Sequence, residues 1–401
     1  MARSRFRFGA FIPPHHIPEE HPAIAMEHDM DLVEWLDKLH YDEAWIGEHH
    51  SGGWELIGSP ELFIASVAHR TRTIRLGTGV SSLPYHGVYA LADRIRQLDY
   101  HTRGRVMFGV GPGSLPSDAY MMGVPVARAR DRMEEAIGPL MRLLNGETVN
   151  FKTDWFKLQN AHLQLPSYNE RGVEIAVASQ VSPVGAKAAG KFGLSMLSIG
   201  ATSTGGFNAL ASNWSIAEEA ARECGQAVDR SAWRLIGPVH VAETREKARD
   251  NVRYGLERWL GYMNEAAALP LAPPPGVDPI EHMIGTGFAV IGTPDDFVAQ
   301  IERLELQSGG FGCFLVMDHH WADRAETWRS YELLARFAIP KLNGLNRNRV
   351  ESEGWLKQNH ALFRGEMAAA VRDKLSEYAT QKGSENLSPE MLKMFGESNP
   401  G

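Results

Sequence analysis

The chain has 401 residues, 43% of them hydrophobic and 22% charged, with a formal net charge of −8. That length holds one large α/β domain or two smaller ones, and the composition is that of a globular protein. The negative balance argues against a nucleic-acid partner, no apolar run is long enough to span a bilayer, and Cys224 and Cys313 alone supply neither a disulfide framework nor a zinc cluster. The opening MARSRFRFGAF is basic but reaches Pro13 and Pro14 without a signal-peptide core, so a cytoplasmic protein without membrane contact is expected.

From the N-terminus, eight β-like runs alternate with amphipathic helical segments: Arg5–Ile12, Glu43–Gly47, Ile74–Ser81, Val106–Val110, Glu174–Ala178, Leu194–Ser198, Arg234–Val241 and Cys313–Met317. A doubly wound sheet uses fewer strands and places a glycine fingerprint after the first. Here the first run ends in FIPPHH, so the pattern predicts an α/β fold of the (β/α)8 TIM-barrel type. Helix starts are marked at Ser59-Pro60-Glu61, Ser182-Pro183 and Thr293-Pro294-Asp295-Asp296, each a capping residue before proline. Ser182 directly follows a strand end, where free N–H groups suit a phosphate; at Thr293 an ordinary cap is expected. Between strands seven and eight, a charged helix over Arg245–Glu265 leads into AAALPLAPPPGVDP, and the 255–290 insertion is expected to be an active-site lid. The barrel is expected to occupy residues 1–342. Residues 343–401 read as a C-terminal helical extension, frayed from Gly383 onward.

Three histidine pairs, His15-His16, His49-His50 and His319-His320, each close an apolar run. In a closed barrel the last strand neighbours the first and the first neighbours the second, so these imidazoles gather on one sector of the mouth. The glycines of Gly109-Val110-Gly111-Pro112-Gly113 do not have the G-x-G-x-x-G spacing, so no resident nicotinamide domain is expected. They allow backbone to approach a flat ligand, or simply make a turn. There is no H-x-H, and adjacent histidines on a strand point to opposite faces, so no metal ligand is assigned; a metal-dependent barrel hydrolase stays a rival through Asp318 beside His319. No G-x-S-x-G elbow is present. Imidazoles and glycines with Phe11, Trp45, Trp54, Tyr85 and Tyr120 at the mouth suit a flat conjugated cofactor.

YDEAWIGEHHSGG, IRLGTGVSSLPYHGVYALADRIRQLDYHTRGRVMFGVGPG, VEIAVASQVSP and IGTPDDFVAQIERL resemble the bacterial luciferase-like flavin monooxygenases, most closely the limonene 1,2-monooxygenase type, in order over about residues 5–340. The resemblance implies a two-component enzyme in which an NAD(P)H:flavin reductase supplies reduced FMN, or FAD, and O2 is used to oxygenate a small, largely apolar organic molecule through a C4a-hydroperoxyflavin. It also implies a homodimer. His49 falls on the essential histidine of the family's E-H-H motif, and a cis peptide bond falls on Gly79-Val80. Flavin contacts fall on Val110, Gly111 and Gly113, on Ala178, Ser179, Gln180 and Ser182, and for the phosphate on Arg130. A second phosphate arginine of luciferase falls on Pro112, which has no donor. His15, His16, Trp54, His319 and His320 are expected to face substrate or lid. An F420-dependent dehydrogenase shares this barrel and is the main alternative.

Overall fold

The computed structural model describes residues 5–265, 267 and 271–396. Eight parallel strands form a closed ring: β1 (Arg7–Ile12), β2 (Glu43–Ile46), β3 (Arg75–Ser82), β4 (Val106–Gly111), β5 (Glu174–Ser179), β6 (Ser195–Ser198), β7 (Arg234–Val241) and β8 (Cys313–Met317). β1 to β6 are joined in sequence, β8 lies between β7 and β1, and β6 pairs with β7 to close the barrel. All eight expected strands are present, because strands covered on both faces leave near-continuous apolar runs in a sequence. Eight helices wrap them: α1 (Pro22–Lys38), α2 (Pro60–Ala68), α3 (Val88–His101), α4 (Val126–Leu144), α5 (Pro183–Phe192), α6 (Thr204–Glu223), α7 (Pro294–Ser308) and α8 (Arg324–Leu333).

Two features were not anticipated. A hairpin, Val149–Lys152 with Lys157–Ala161, is largely exposed and polar, so it carries little apolar alternation. A three-residue strand, Val290–Gly292, pairs with the second half of β7 after β8 has paired with the first half. The charged helix over 245–265 is two helices, Arg245–Val252 and Leu256–Glu265. They part where Gly255 donates its N–H to the Trp321 carbonyl at 2.9 Å and passes so near the His320 carbonyl that a Cβ would lie 1.7 Å from its oxygen. Thr293 caps α7 with a full capping box, and Ser182 caps α5 by accepting from the Val184 N–H.

The barrel is filled by Phe11, Trp45, Met107, Ala176, Leu197, Ile236, Cys313 and Leu315, with Val80, Ile199 and Met317 packed against this layer at the C-terminal strand ends. Trp45 was expected at the mouth and is instead interior. It stands opposite Phe11 and Gly77, where a Cβ on Gly77 would lie 2.5 Å from its ring, and its indole N–H donates to Glu43 at 2.9 Å. At the N-terminal base, fully buried Arg234 binds both oxygens of Glu43 (2.8 and 2.9 Å) and one of Glu174, whose other oxygen takes Arg75 at 2.7 Å. The Arg234 and Arg75 charges outweigh burial and hold the Glu174 carboxyl down at about 2.

Residues 1–343 form one compact unit and 344–401 another. The second holds two long helices, Arg347–Gln358 and His360–Lys382, in which no residue is buried. Its expected fraying does not begin at Gly383, since a turn at Ser384–Asn386 and a short helix, Pro389–Gly396, follow; residues 397–401 lie outside the described residues. No described helix is long and apolar enough to cross a membrane.

Candidate active site

The C-terminal rim is built from loops whose backbones must turn sharply out of the strands. After β2 the chain runs Gly47-Glu48-His49-His50, and the His49 ring sits between two carboxylates. Its Nε2 lies 3.1 Å from Glu55 Oε2 and its Nδ1 3.2 Å from Asp118 Oδ2. Asp118 stands in the first turn of a short helix, Pro116–Met121, reached from β4 through the Gly111–Gly113 loop. It also accepts the His50 backbone N–H at 3.2 Å and the Ser51 hydroxyl. Glu55 accepts the Tyr262 hydroxyl at 2.8 Å and lies 3.7 Å from His15 Nε2. Burial works against charge on His49, but Glu55 and Asp118 outweigh it and hold the imidazole above its usual range. Both carboxyls in turn are held below theirs. Acceptors at both ring nitrogens require an N–H at each, so the ring is poised as an imidazolium.

Beside it, buried Glu48 takes His50 and His86 at 3.2 and 3.1 Å and the Ser82 N–H at 3.1 Å, which together overcome burial and bring it to about 2. Burial, with Asp118 and Glu48 nearby, pushes the Tyr85 phenol up to about 12.

β3, β4 and β5 make the next sector. The Gly79–Val80 peptide is cis. A Cβ on Gly111 would lie 2.4 Å from Val80 and 3.6 Å from Ala178, and one on Gly113 (φ +88°) would lie 2.2 Å from the Tyr85 hydroxyl. Val110 is the register partner of Ser81. The hydroxyls of Ser81 and Ser179, with that of Thr202 after β6, are buried and make no hydrogen bond among the described residues. Buried polar atoms without partners are uncommon, and these three belong to the C-terminal parts of β3 and β5 and to the loop after β6. The structure therefore brings Gly79, Val80, Val110, Gly111, Ala178 and Ser179 together. Gln180 and Ser182 are exposed just beyond them, Arg130 is exposed on α4, and Tyr120 points outward at 87% exposure.

The insertion supplies the third wall. Its helix Leu256–Glu265 sets Trp259 and Tyr262 edge-on to His15, and Trp54 stacks on Tyr262 at 5.1 Å. His319 stacks on Trp321 at 3.9 Å and donates Nε2–H to the Val239 carbonyl at 3.2 Å; burial keeps it neutral, and its Nδ1 has no partner. His16 turns away to a separate acidic pair: Nε2 lies 3.0 Å from both Asp29 oxygens and Nδ1 3.1 Å from Glu20. His320 is ring-to-ring with His16 at 6.3 Å. The three histidine pairs do share one sector. Glu55, Asp118, Tyr262, Ser81 and Glu20 were missed, and Glu48 was legible only as the neighbour of His49.

The chain matches a family model described as luciferase-like monooxygenase over residues 6–313. It is 48% identical over 341 residues to limonene 1,2-monooxygenase of Rhodococcus erythropolis, covering 85% of this chain and 87% of that one. It is 42% identical over 374 residues to 4-hydroxyprotoasukamycin monooxygenase of Streptomyces nodosus subsp. asukaensis, covering 91% and 99%. Among solved structures it is similar, with a TM-score of 0.71 and 26% identity over 84% of this chain and 98% of that one, to a type II Baeyer–Villiger monooxygenase in complex with FMN. That protein is the oxygenating constituent of 3,6-diketocamphane monooxygenase from the CAM plasmid of Pseudomonas putida.

Proposed function

The chain belongs to the luciferase-like monooxygenase family, and from that premise we propose that it oxygenates a small, largely apolar organic molecule using O2 and reduced FMN delivered by a separate NAD(P)H:flavin reductase. Reduced flavin, when bound, supplies the two electrons that let one oxygen atom enter the substrate while the other leaves as water. The observation that carries the proposal is His49, set at the end of β2 between Glu55 and Asp118, which hold its imidazole above the usual range.

In this reading Gly79, Val80, Val110, Gly111, Gly113 and Ala178 leave room for the ring system, and Ser81 and Ser179 offer it hydrogen bonds. Arg130, Gln180, Ser182 and free N–H groups at the start of α5 are the proposed phosphate contacts. His49 holds a proton at Nε2 and Nδ1 and can pass one to a reacting oxygen near neutral pH. Glu55 and Asp118 orient it and set its acidity. Tyr262 ties the insertion to the same carboxylate, so closing the insertion completes the histidine's surroundings. His15, Trp54, Trp259 and His319 keep water from the site, because a wet site releases peroxide instead of oxygenating. The relatives' substrates, limonene and diketocamphane, support a compact terpene or cyclic ketone, and the FMN complex of the second supports FMN.

The test is to mix protein and chemically reduced FMN with O2, with and without limonene or a bicyclic ketone. Oxygenated product and a matching drop in hydrogen peroxide are expected, both lost in His49→Ala. Peroxide yield unchanged by every candidate substrate and by His49→Ala overturns the proposal, as does a titration in which the protein takes F420 and refuses FMN.

A further inference from the structure

Away from His49, His16 from the loop after β1, Glu20 four residues on and His320 from the loop after β8 place one ligand atom each within 4.8 Å of one another. Glu20 Oε2 lies 3.1 Å from His16 Nδ1, and Glu20 Oε1 lies 3.8 Å from His320 Nε2. Bonds of about 2.1 Å at tetrahedral angles put ligand atoms about 3.4 Å apart, a geometry that a small side-chain adjustment reaches from three atoms within 4.8 Å of one another.

The other side of His16 is arranged for the same purpose. Its Nε2 donates to Asp29, a carboxylate 4% exposed, at 3.0 Å from each oxygen. Carboxylates stand at both His16 nitrogens, so a cation binds by displacing the Nδ1 proton that faces Glu20, while Asp29 keeps hold of the Nε2–H. The Nε2 of His320 is buried and makes no hydrogen bond among the described residues, although it lies 3.8 Å from Glu20 Oε1. The Arg258 guanidinium is engaged by Glu19 at 2.8 Å.

We propose that His16, Glu20 and His320 form a binding site for one first-row divalent cation such as Zn2+ or Co2+, with a fourth position open to water at the half-exposed Glu20 side, and with Asp29 as a positioning residue.

The full chain, stripped with EDTA and dialysed, is titrated with Co2+ and followed by visible absorption. One equivalent of a tetrahedral Co2+ spectrum is expected, displaced by one equivalent of Zn2+. Glu20→Gln and His320→Ala should each weaken binding at least 100-fold, and Asp29→Asn 10- to 100-fold, with folding checked by circular dichroism. Because Glu20 is a partly exposed loop residue, its variant folds even if the Asp29 variant does not. An absence of saturable binding below millimolar Co2+, or one-equivalent binding that Glu20→Gln and His320→Ala leave unchanged, overturns the site. Neither readout involves flavin, so this result is independent of the oxygenase reading.

Discussion

The two ends of the barrel are both rich in charge but differ in what those charges lack. At the base, all four oxygens of Glu43 and Glu174 are taken, by Arg234, Arg7, Arg75, Trp45 and Ser195. Toward the mouth, the hydroxyls of Ser81, Ser179 and Thr202 and Nδ1 of His319 make no hydrogen bond among the described residues, while His49 sits between two carboxylates that raise its imidazole. A network whose carboxylate oxygens are all engaged locks strands in register; one left open waits for a ligand, at some cost to the free protein. That division matches the general rule that barrels keep stability below and chemistry above.

Replacing His49 should have the largest effect at the mouth. His49→Ala is expected to reduce coupled oxygenation per folded molecule about 10²- to 10⁴-fold, the usual worth of a positioned proton donor. A fall of less than tenfold would erase the contrast. Arg234→Met is the matching change at the base. It strands two buried carboxylates, so a loss of about 3–5 kcal/mol in urea unfolding is expected, with turnover per folded molecule preserved. Asp118→Asn sharpens the mouth account by direction. Removing one of the carboxylates that raise the His49 imidazole lowers its pKa, so the alkaline limb of coupled turnover should shift to lower pH, by about one unit (~1.4 kcal/mol). A shift to higher pH would mean that His49 does not act as the acid. The smallest effect belongs to Ser179→Ala. An unpartnered buried hydroxyl contributes nothing to the free fold, so stability should hold or rise by up to about 1 kcal/mol while affinity for reduced FMN falls several-fold. A loss of stability with unchanged affinity would make Ser179 structural.

The same contrast explains what was legible in the sequence. The eight strands show as apolar runs because both of their faces are covered, and His49 shows as the end of one. Trp45 was misplaced because it lies in the middle layer of β2, opposite Phe11 and Gly77, four residues before His49. Glu55 and Asp118 left no mark, since their pairing with His49 depends on two loops from different βα units meeting in space. The glycine at the break, Gly255, likewise has a tertiary reason: the His320 carbonyl leaves no room there for a Cβ. Arg130, carried over by resemblance, lies exposed on α4, so its phosphate role rests on the proposal.

Anaerobic titration of the full chain with chemically reduced FMN, read by tryptophan fluorescence and calorimetry, tests the central claim most directly. The account predicts one saturable site per chain that Ser179→Ala and Gly111→Leu weaken and Arg234→Met leaves intact in folded protein. No saturable binding, or binding indifferent to both rim substitutions, would contradict it.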